Sequence, residues 1–282
     1  MPQRTWIAPA KVNLTLRVLG KREDGFHELE SLMAPLDLGD SLQFEKSDQY
    51  RLHCDTPGVP LDESNLITMA VRAFEKQYGR RCLWNVSLVK NVPHGAGLGG
   101  GSSDAASALL ALNQLEQAGF TERELASMAA ECGSDVPFFI YRGLGMIGGR
   151  GERVEPVDVP GLDRCPILLL KPSFGVSTPD AYQHCLTAKP LPRVPYHAQA
   201  LPWGEIVNDL EKPVFQKHRF LAEIKMWLLA QPETEAAMMS GSGSTMMAFL
   251  SDKSQADGLL ARARQELDPT LWGQCVHVSL PQ

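Results

Sequence analysis

Apolar and polar residues alternate from Val12 to Val18. This is the period-two pattern of a half-buried strand, and it stops at Gly20 before the charged turn Lys21-Arg22-Glu23-Asp24-Gly25. Leu42-Gln43-Phe44 repeats the alternation briefly, and Trp84, Val86 and Leu88 repeat it in a strand running into Lys90. Between them, Leu66, Ala70, Ala73, Phe74 and Tyr78 fall on one face of a helix over 65–78. Ala105, Ala108, Leu109, Leu112 and Leu115 share a face of a second helix that ends near Gly119. Thr121 and Glu124 have capping-box spacing, which predicts a helix to Cys132 with Gly133 as its stop. Ser134-Asp135-Val136-Pro137 reads as a turn before the apolar run Phe138-Phe139-Ile140-Tyr141.

Residues 143–163 are rich in glycine and proline and mark a candidate domain boundary. Beyond it, Ile167–Leu170 reads as a buried strand and the proline-bearing stretch 186–204 as loop. The remainder predicts a helix (216–230), a strand (235–239), the tight turn Ser240-Gly241-Ser242-Gly243-Ser244, a strand (245–250), a helix (253–266) and a strand (274–280). Strands and helices mix without regular alternation, which predicts an α+β fold and not a doubly wound sheet.

With 282 residues, 44% apolar and 21% charged, the chain has material for one large or two modest cores. The net charge of −6 and the lack of a basic stripe argue against a nucleic-acid partner, and an anionic substrate would need a local positive pocket. No apolar run approaches transmembrane length and the N-terminus has no apolar core of a signal peptide, so no membrane association is expected. Six scattered cysteines form no C-x-x-C pair. They read as reduced thiols of a cytoplasmic protein, with no zinc or redox motif.

The densest chemical signal is Pro93-His94-Gly95-Ala96-Gly97-Leu98-Gly99-Gly100-Gly101-Ser102-Ser103, between a strand and a helix. Glycines leave backbone N–H groups unshielded, and a helix N-terminus adds unsatisfied donors and partial positive charge, which together favour a phosphate. Ser102 and Ser103 can cap the helix or donate to phosphate oxygens. Gly95 and Gly100 have P-loop spacing, but Gly101 stands where the lysine belongs. The dinucleotide fingerprint also fails, because a second helix follows where a strand ending in an acid is required.

A phosphate-transferring enzyme needs cations against the transferred group and a carboxylate for the acceptor hydroxyl. Lys11, at the start of the first strand with Asn13 on the same face, is the candidate cation. Asp135, between a helix stop and an apolar run, is the candidate carboxylate. Each alone also fits a plainer role, as a solvated strand-edge lysine and a turn aspartate.

The segment Pro93-x-x-x-Gly97-Leu98-Gly99-Gly100-Gly101-Ser102-Ser103 resembles the phosphate loop of the GHMP kinases. Pro9-Ala10-Lys11-Val12-Asn13-Leu14 and Gly133-Ser134-Asp135-Val136-Pro137-Phe138 resemble motifs of one branch, the 4-diphosphocytidyl-2-C-methyl-D-erythritol kinases. Asp24–Leu29, Ser64–Ile67, Gly175–Pro179 with Tyr182, Asn208–Glu211 and Ser240–Ser244 resemble further landmarks of that branch, in order from about residue 6 to residue 250. The resemblance implies a two-domain fold with domains at 1–160 and 161–282. The first would hold a left-handed βαβ unit and the second a ferredoxin-like arrangement, with the active site in the cleft between them.

It implies ATP as co-substrate, Mg2+ with it, and a small-molecule cytidine diphosphate substrate phosphorylated on its 2-hydroxyl in isoprenoid precursor synthesis. Lys11 and Asp135 would be the catalytic pair. The loop 93–103, Asn65 and Lys90 would bind ATP, and Asn13, Phe26, His27, Thr178 and Tyr182 the acceptor; no residue set reads as a dedicated metal cage. Phe26 replaces the branch's usual tyrosine, and Met33 stands where an aromatic is expected. His94 replaces a more usual methionine and is expected to face away from the phosphates. Gly148–Glu152 reads only as a turn. A kinase of another alcohol (homoserine or a mevalonate-like compound) and a non-catalytic nucleotide-binding protein stand as alternatives, and a monomer or weak homodimer is expected.

Overall fold

A computed structural model describes residues 4–280, so residues 1–3 and 281–282 of the two expected domain spans lie outside the described part. Its centre is one long strand, His27–Lys46. Sequence alternation marks only residues 42–44 of it. The reason is packing: Ser31–Leu36 are buried without interruption, which erases a period-two pattern. The strand serves several partners along its length. His27–Glu30 pairs with Thr15–Lys21, Ser31–Met33 with Gly145–Gly148, Met33–Gln43 with Thr5–Asn13 and Ser41–Lys46 with Trp84–Val89, all antiparallel.

The strand expected over Val12–Val18 is two, Thr5–Asn13 and Thr15–Lys21, broken at Leu14. The glycine- and proline-rich stretch contains a hairpin, Gly145–Gly148 with Arg153–Pro156, that joins the same sheet. Arg51–Cys54 lies parallel to Trp84–Val89, with the helix Leu66–Tyr78 as the crossover between them. That helix, with Gly100–Leu115 and Glu122–Cys132, covers one face of the sheet around Phe74, Leu109 and Phe138. The capping box at Thr121 and the stop at Gly133 are as the sequence indicates.

The second sheet has the strand order Thr234–Met239, Met246–Leu250, Ile167–Lys171, Trp272–Val276, all antiparallel. Read along the chain this is βαββαβ, with helices between the first and second and between the third and fourth strands, the ferredoxin-like arrangement expected. The predicted helix 216–230 is two, Glu211–Lys217 and Arg219–Leu229, separated at His218. Part of the expected loop 186–204 is strand Gln199–Leu201. It pairs with Gly204–Asn208, which in turn runs parallel to Thr15–Lys21. A strand from the second half of the chain therefore completes the first sheet. Ala10, Val12 and Leu14 pack against Leu169, Met247 and Phe249 of the second sheet. That shared core fixes the glycine-rich loop opposite the Ser240–Ser244 turn.

Candidate active site

The loop 93–103 lines a cleft of about 310 Å3, together with Lys11, Asn13, Lys90, Asp135, Thr178, Tyr182 and Gly241–Gly243. Two glycines hold the loop in place. Gly97 and Gly99 have φ of 74° and 68°, in the left-handed region. A Cβ on Gly97 would sit 2.5 Å from the Ser240 carbonyl oxygen, and one on Gly99 2.8 Å from Cγ of Lys11. The loop is thus pressed between the Ser240–Ser244 turn and the lysine stem. Thr245 N–H donates to Ala96 O (3.2 Å), Ser240 Oγ to Gly97 O (3.2 Å) and Lys11 N–H to Leu98 O (2.9 Å).

Gly99 is the N-cap of the helix Gly100–Leu115, and no side chain caps it. The first residues of that helix, Gly100–Ser102, line the cleft, and a helix N-terminus with free amides at a cleft suits an anion. Ser102 lines the cleft, whereas Ser103 is fully buried behind it with its Oγ unpartnered among the described residues. His94 is exposed at the cleft edge.

Lys11 Nζ donates to Asn13 Oδ1 (2.7 Å) and lies 3.4 Å from Asp135 Oδ2. Asn13 Nδ2 donates to Ser31 Oγ (2.8 Å), whose hydroxyl donates to Thr15 O (2.5 Å). The chain of bonds fixes the buried ammonium, while Asp135 is 41% exposed and open to the cleft. Val136–Pro137 does not simply continue a turn. Asp135 is the N-cap of a short helix, Val136–Ile140, and makes no side-chain cap bond, so its carboxylate is available to the cleft.

A second cavity of about 800 Å3 adjoins the cleft, and Leu29, Asp135, Thr178 and Tyr182 line both. Phe26, His27, Lys21 and Arg150 line it as well. The His27 and Tyr182 rings stack with centroids 5.7 Å apart, and Thr178 Oγ1 is 3.0 Å from Ser242 Oγ. Burial, then the charge of Asp135, raises the Tyr182 hydroxyl pKa and keeps it protonated. Phe26 is half exposed, with the Arg150 guanidinium 5.1 Å above its ring. Gly148–Glu152 is therefore more than a turn, since Arg150 borders the second cavity and Gly151 the cleft. Met33 is buried and lines the cleft, not the second cavity.

Two expected ATP ligands have their polar groups engaged by protein. Asn65 is the N-cap of Leu66–Tyr78, accepting from Ile67 N–H (2.8 Å) and donating to Pro60 O (2.6 Å); its neighbour Leu66 lines the cleft instead. Lys90 reaches the cleft, but its ammonium bonds Asp40 and, at 2.8 Å, Asp104. Asp40 and Asp104 carry no motif signal in the sequence, because each looks like an ordinary surface acid until the fold buries it. The Asn208–Glu211 landmark works from behind the site. Asn208 Nδ2 donates to Met239 O and Gly241 O (both 2.7 Å), and Glu211 accepts from Met239 N–H (2.9 Å) and from buried Lys225. These bonds hold the turn that lines the cleft.

The sequence matches the family models described as GHMP kinases N terminal domain, over residues 65–143, and GHMP kinases C terminal, over residues 198–268. A 4-diphosphocytidyl-2-C-methyl-D-erythritol kinase of Methylacidiphilum infernorum is 40% identical over 94% of this chain and 93% of its own length. The chain belongs to the GHMP kinases, on the branch of the 4-diphosphocytidyl-2-C-methyl-D-erythritol kinases. The relative from Listeria monocytogenes, with the same name, is 38% identical over 88% of this chain and 87% of its own. A crystal structure of 4-(cytidine 5'-diphospho)-2C-methyl-D-erythritol kinase superposes with a TM-score of 0.79 at 32% identity, covering 98% of this chain and all of that one. A homoserine kinase from Cytophaga hutchinsonii shares the fold at a TM-score of 0.70 and 18% identity, covering 100% of this chain and 96% of its own. No helix among the described residues is long and apolar enough to cross a membrane.

Proposed function

We propose that this GHMP kinase transfers the γ-phosphoryl group of ATP to the 2-hydroxyl of 4-diphosphocytidyl-2-C-methyl-D-erythritol. The observation that carries the reading is the position of Lys11 and Asp135. They meet where the phosphate-binding loop and the second cavity adjoin, in a chain 40% identical to a kinase of that name. The loop amides and the N-terminus of Gly100–Leu115 hold the phosphates, with Lys90 at the loop's base. The second cavity takes the cytidine end, with the rings of Phe26 and Tyr182 against the base and His27 as a directional hydrogen-bond partner. Thr178 and Asn13 border the path from that cavity to the reacting centre.

In the transfer, the acceptor oxygen bonds to the γ-phosphorus as the bond to the β–γ bridging oxygen breaks and ADP leaves. Asp135 takes the acceptor proton, and Lys11, fixed by Asn13, faces the developing negative charge.

Magnesium fits as the companion of the nucleotide. Among the described residues no group of three His, Cys, Asp or Glu can hold a metal, and Mg2+ is content with one or two protein oxygens plus phosphates and water. Ser102 and Asp135, which both line the cleft, would hold it, and it would offset phosphate charge. The enzyme would act in the cytoplasm on a freely diffusing small molecule, as a monomer or weak homodimer, with no nucleic acid or membrane involved. The test is ADP release with the cytidyl substrate beside homoserine, mevalonate and galactose. Turnover confined to the cytidyl compound supports the reading. Turnover of another alcohol overturns the acceptor assignment, and ADP release with none of them overturns the kinase assignment.

A further inference from the structure

Beneath the nucleotide loop, Lys90 belongs to a buried group of three charges whose two carboxylates, Asp40 and Asp104, the transfer mechanism leaves unused. Lys90 Nζ is shared between Asp40 and Asp104 Oδ2, the latter at 2.8 Å, and all three side chains are less than a tenth exposed. Asp40 Oδ1 is occupied by the N–H groups of Asn91 (2.6 Å) and Val92 (2.8 Å), the residues that lead into the loop. Asp104 Oδ1 is buried without a partner among the described residues. Asp104 is the fifth residue of Gly100–Leu115, one turn on from Gly100, and a Cβ on Gly100 would come within 3.2 Å of Lys90 Nζ and 3.3 Å of Asp40 Oδ2. The triad therefore touches the backbone that would grip the phosphates.

One ammonium between two carboxylates carries net −1 when both acids are ionised and zero when they share one proton. A buried excess negative charge directly under a polyanion site opposes the ligand, and two adjacent carboxylates hold a proton strongly. We propose that Asp40 and Asp104 are positioning residues that share this proton and hold Lys90 under the loop, so that nucleotide binding draws a proton into the triad. The inference rests on the reading that the loop binds ATP.

Supporting it, burial first and Asp40 second push the Asp104 carboxyl up to about 7, against the opposing pull of Lys90. Among the described residues, Lys90 and Asp40 are the charged groups acting on it, from the end of strand Trp84–Val89 and from strand His27–Lys46. Burial disfavours the Lys90 charge, but Asp104 and Asp40 hold its pKa above the ordinary lysine value. Lys90 stays cationic, so Asp104 is the partner that titrates near neutrality.

The test is titration calorimetry of Mg-ATP into the whole protein at pH 7.5, in buffers of differing ionisation enthalpy. If nucleotide raises the acid pKa by one unit, uptake of about half a proton is expected, with affinity falling about sixfold from pH 6.5 to 8.5. Asp104→Asn and Asp40→Asn should each abolish the uptake and flatten that profile. Binding with no uptake by the unaltered protein overturns the inference and leaves the loop reading intact, while absence of binding overturns the loop reading itself. Uptake that persists in both folded variants places the proton elsewhere and also overturns it. Should the variants not fold, the carboxyl stretch of a buried protonated acid, followed by infrared difference spectroscopy on ATP addition, decides the matter. A band that grows supports the shared proton, and no band contradicts it.

Discussion

Asn13 Oδ1 lies 2.7 Å from Lys11 Nζ, two residues along one strand, and Asn13 in turn bonds Ser31 on the neighbouring strand. The buried Lys11 ammonium, proposed above to be catalytic, is therefore aimed by a side chain that is itself held by a second. Because the strand alternates, an i, i+2 pair shares a face, and here that face is the floor of the cleft. Asn13→Ala removes this support and leaves the Ser31 hydroxyl with one partner fewer. A loss of about 1–3 kcal/mol of transition-state stabilisation, or about 5–150-fold in kcat/KM, is expected. Steady-state kinetics with both substrates varied checks it, and the ATP dissociation constant should hardly move.

The loop glycines have a steric requirement. Gly97→Ala forces an L-residue into φ of 74° with its Cβ 2.5 Å from a backbone oxygen that cannot move without displacing the Ser240–Ser244 turn. About 1–3 kcal/mol of strain is expected, shared between loss of stability and loss of ATP affinity. Urea denaturation and nucleotide titration measure the two shares. Gly119, also at positive φ but with nothing within 4 Å of an added Cβ, is the control: Gly119→Ala should lower stability a little and leave ATP binding alone.

In the second cavity, proposed above to take the acceptor, the Tyr182 ring stacks on His27 and its hydroxyl stays protonated. Tyr182→Phe keeps the ring and should bind the cytidyl substrate nearly as well as the unaltered protein. Tyr182→Ala loses an aromatic contact worth about 0.5–1.5 kcal/mol beyond its area, so the KM for that substrate should rise at least about threefold while the KM for ATP stays put. Comparing the two KM values in each variant separates a pocket effect from a global one.

Folding stability should carry the mark of Asp104. Its carboxyl is raised from 3.8 to about 7 in the fold, chiefly by burial. A raised acid contributes stability that is fully present below the unfolded pKa and is lost as pH rises through the folded one. The unaltered protein should thus lose stability between about pH 4 and pH 7, relative to Asp104→Asn, by on the order of a few kcal/mol. Urea denaturation of both proteins across that range reads the difference directly.

Local chemistry was legible in the sequence wherever the signal was local. The Thr121–Glu124 box and Gly133 mark helix ends through bonds made within a few residues, and both stand in the structure. The strand His27–Lys46 was not legible, because full burial over Ser31–Leu36 removes alternation and its strand partners lie far away in sequence. The hairpin at Gly145–Pro156 was hidden by glycine and proline content, although its pairing to Ser31–Met33 comes from the long strand and not from its own propensity.

The site shows the same division. The glycine loop with Lys11 and Asp135 announced itself by motif. The Asp40–Lys90–Asp104 triad and the Arg150–Phe26 contact did not, since each is assembled by tertiary approach of residues with ordinary neighbours. Asn208 and Glu211 were recognisable as a landmark, but their work, bonding the backbone of the Ser240–Ser244 turn and the strand before it, appears only once the second sheet is in place.

The most direct measurement for the whole reading is the Asp135→Asn variant, which keeps the shape beside Lys11 and removes the proton acceptor. ATP affinity by calorimetry and turnover of the cytidyl substrate by ADP release are measured on the same preparation. Affinity within about twofold of the unaltered protein, with kcat lower by about 10²–10⁴-fold, is the expected result. Unchanged turnover would contradict the role of Asp135, and with it the meeting of Lys11 and Asp135 around the acceptor oxygen.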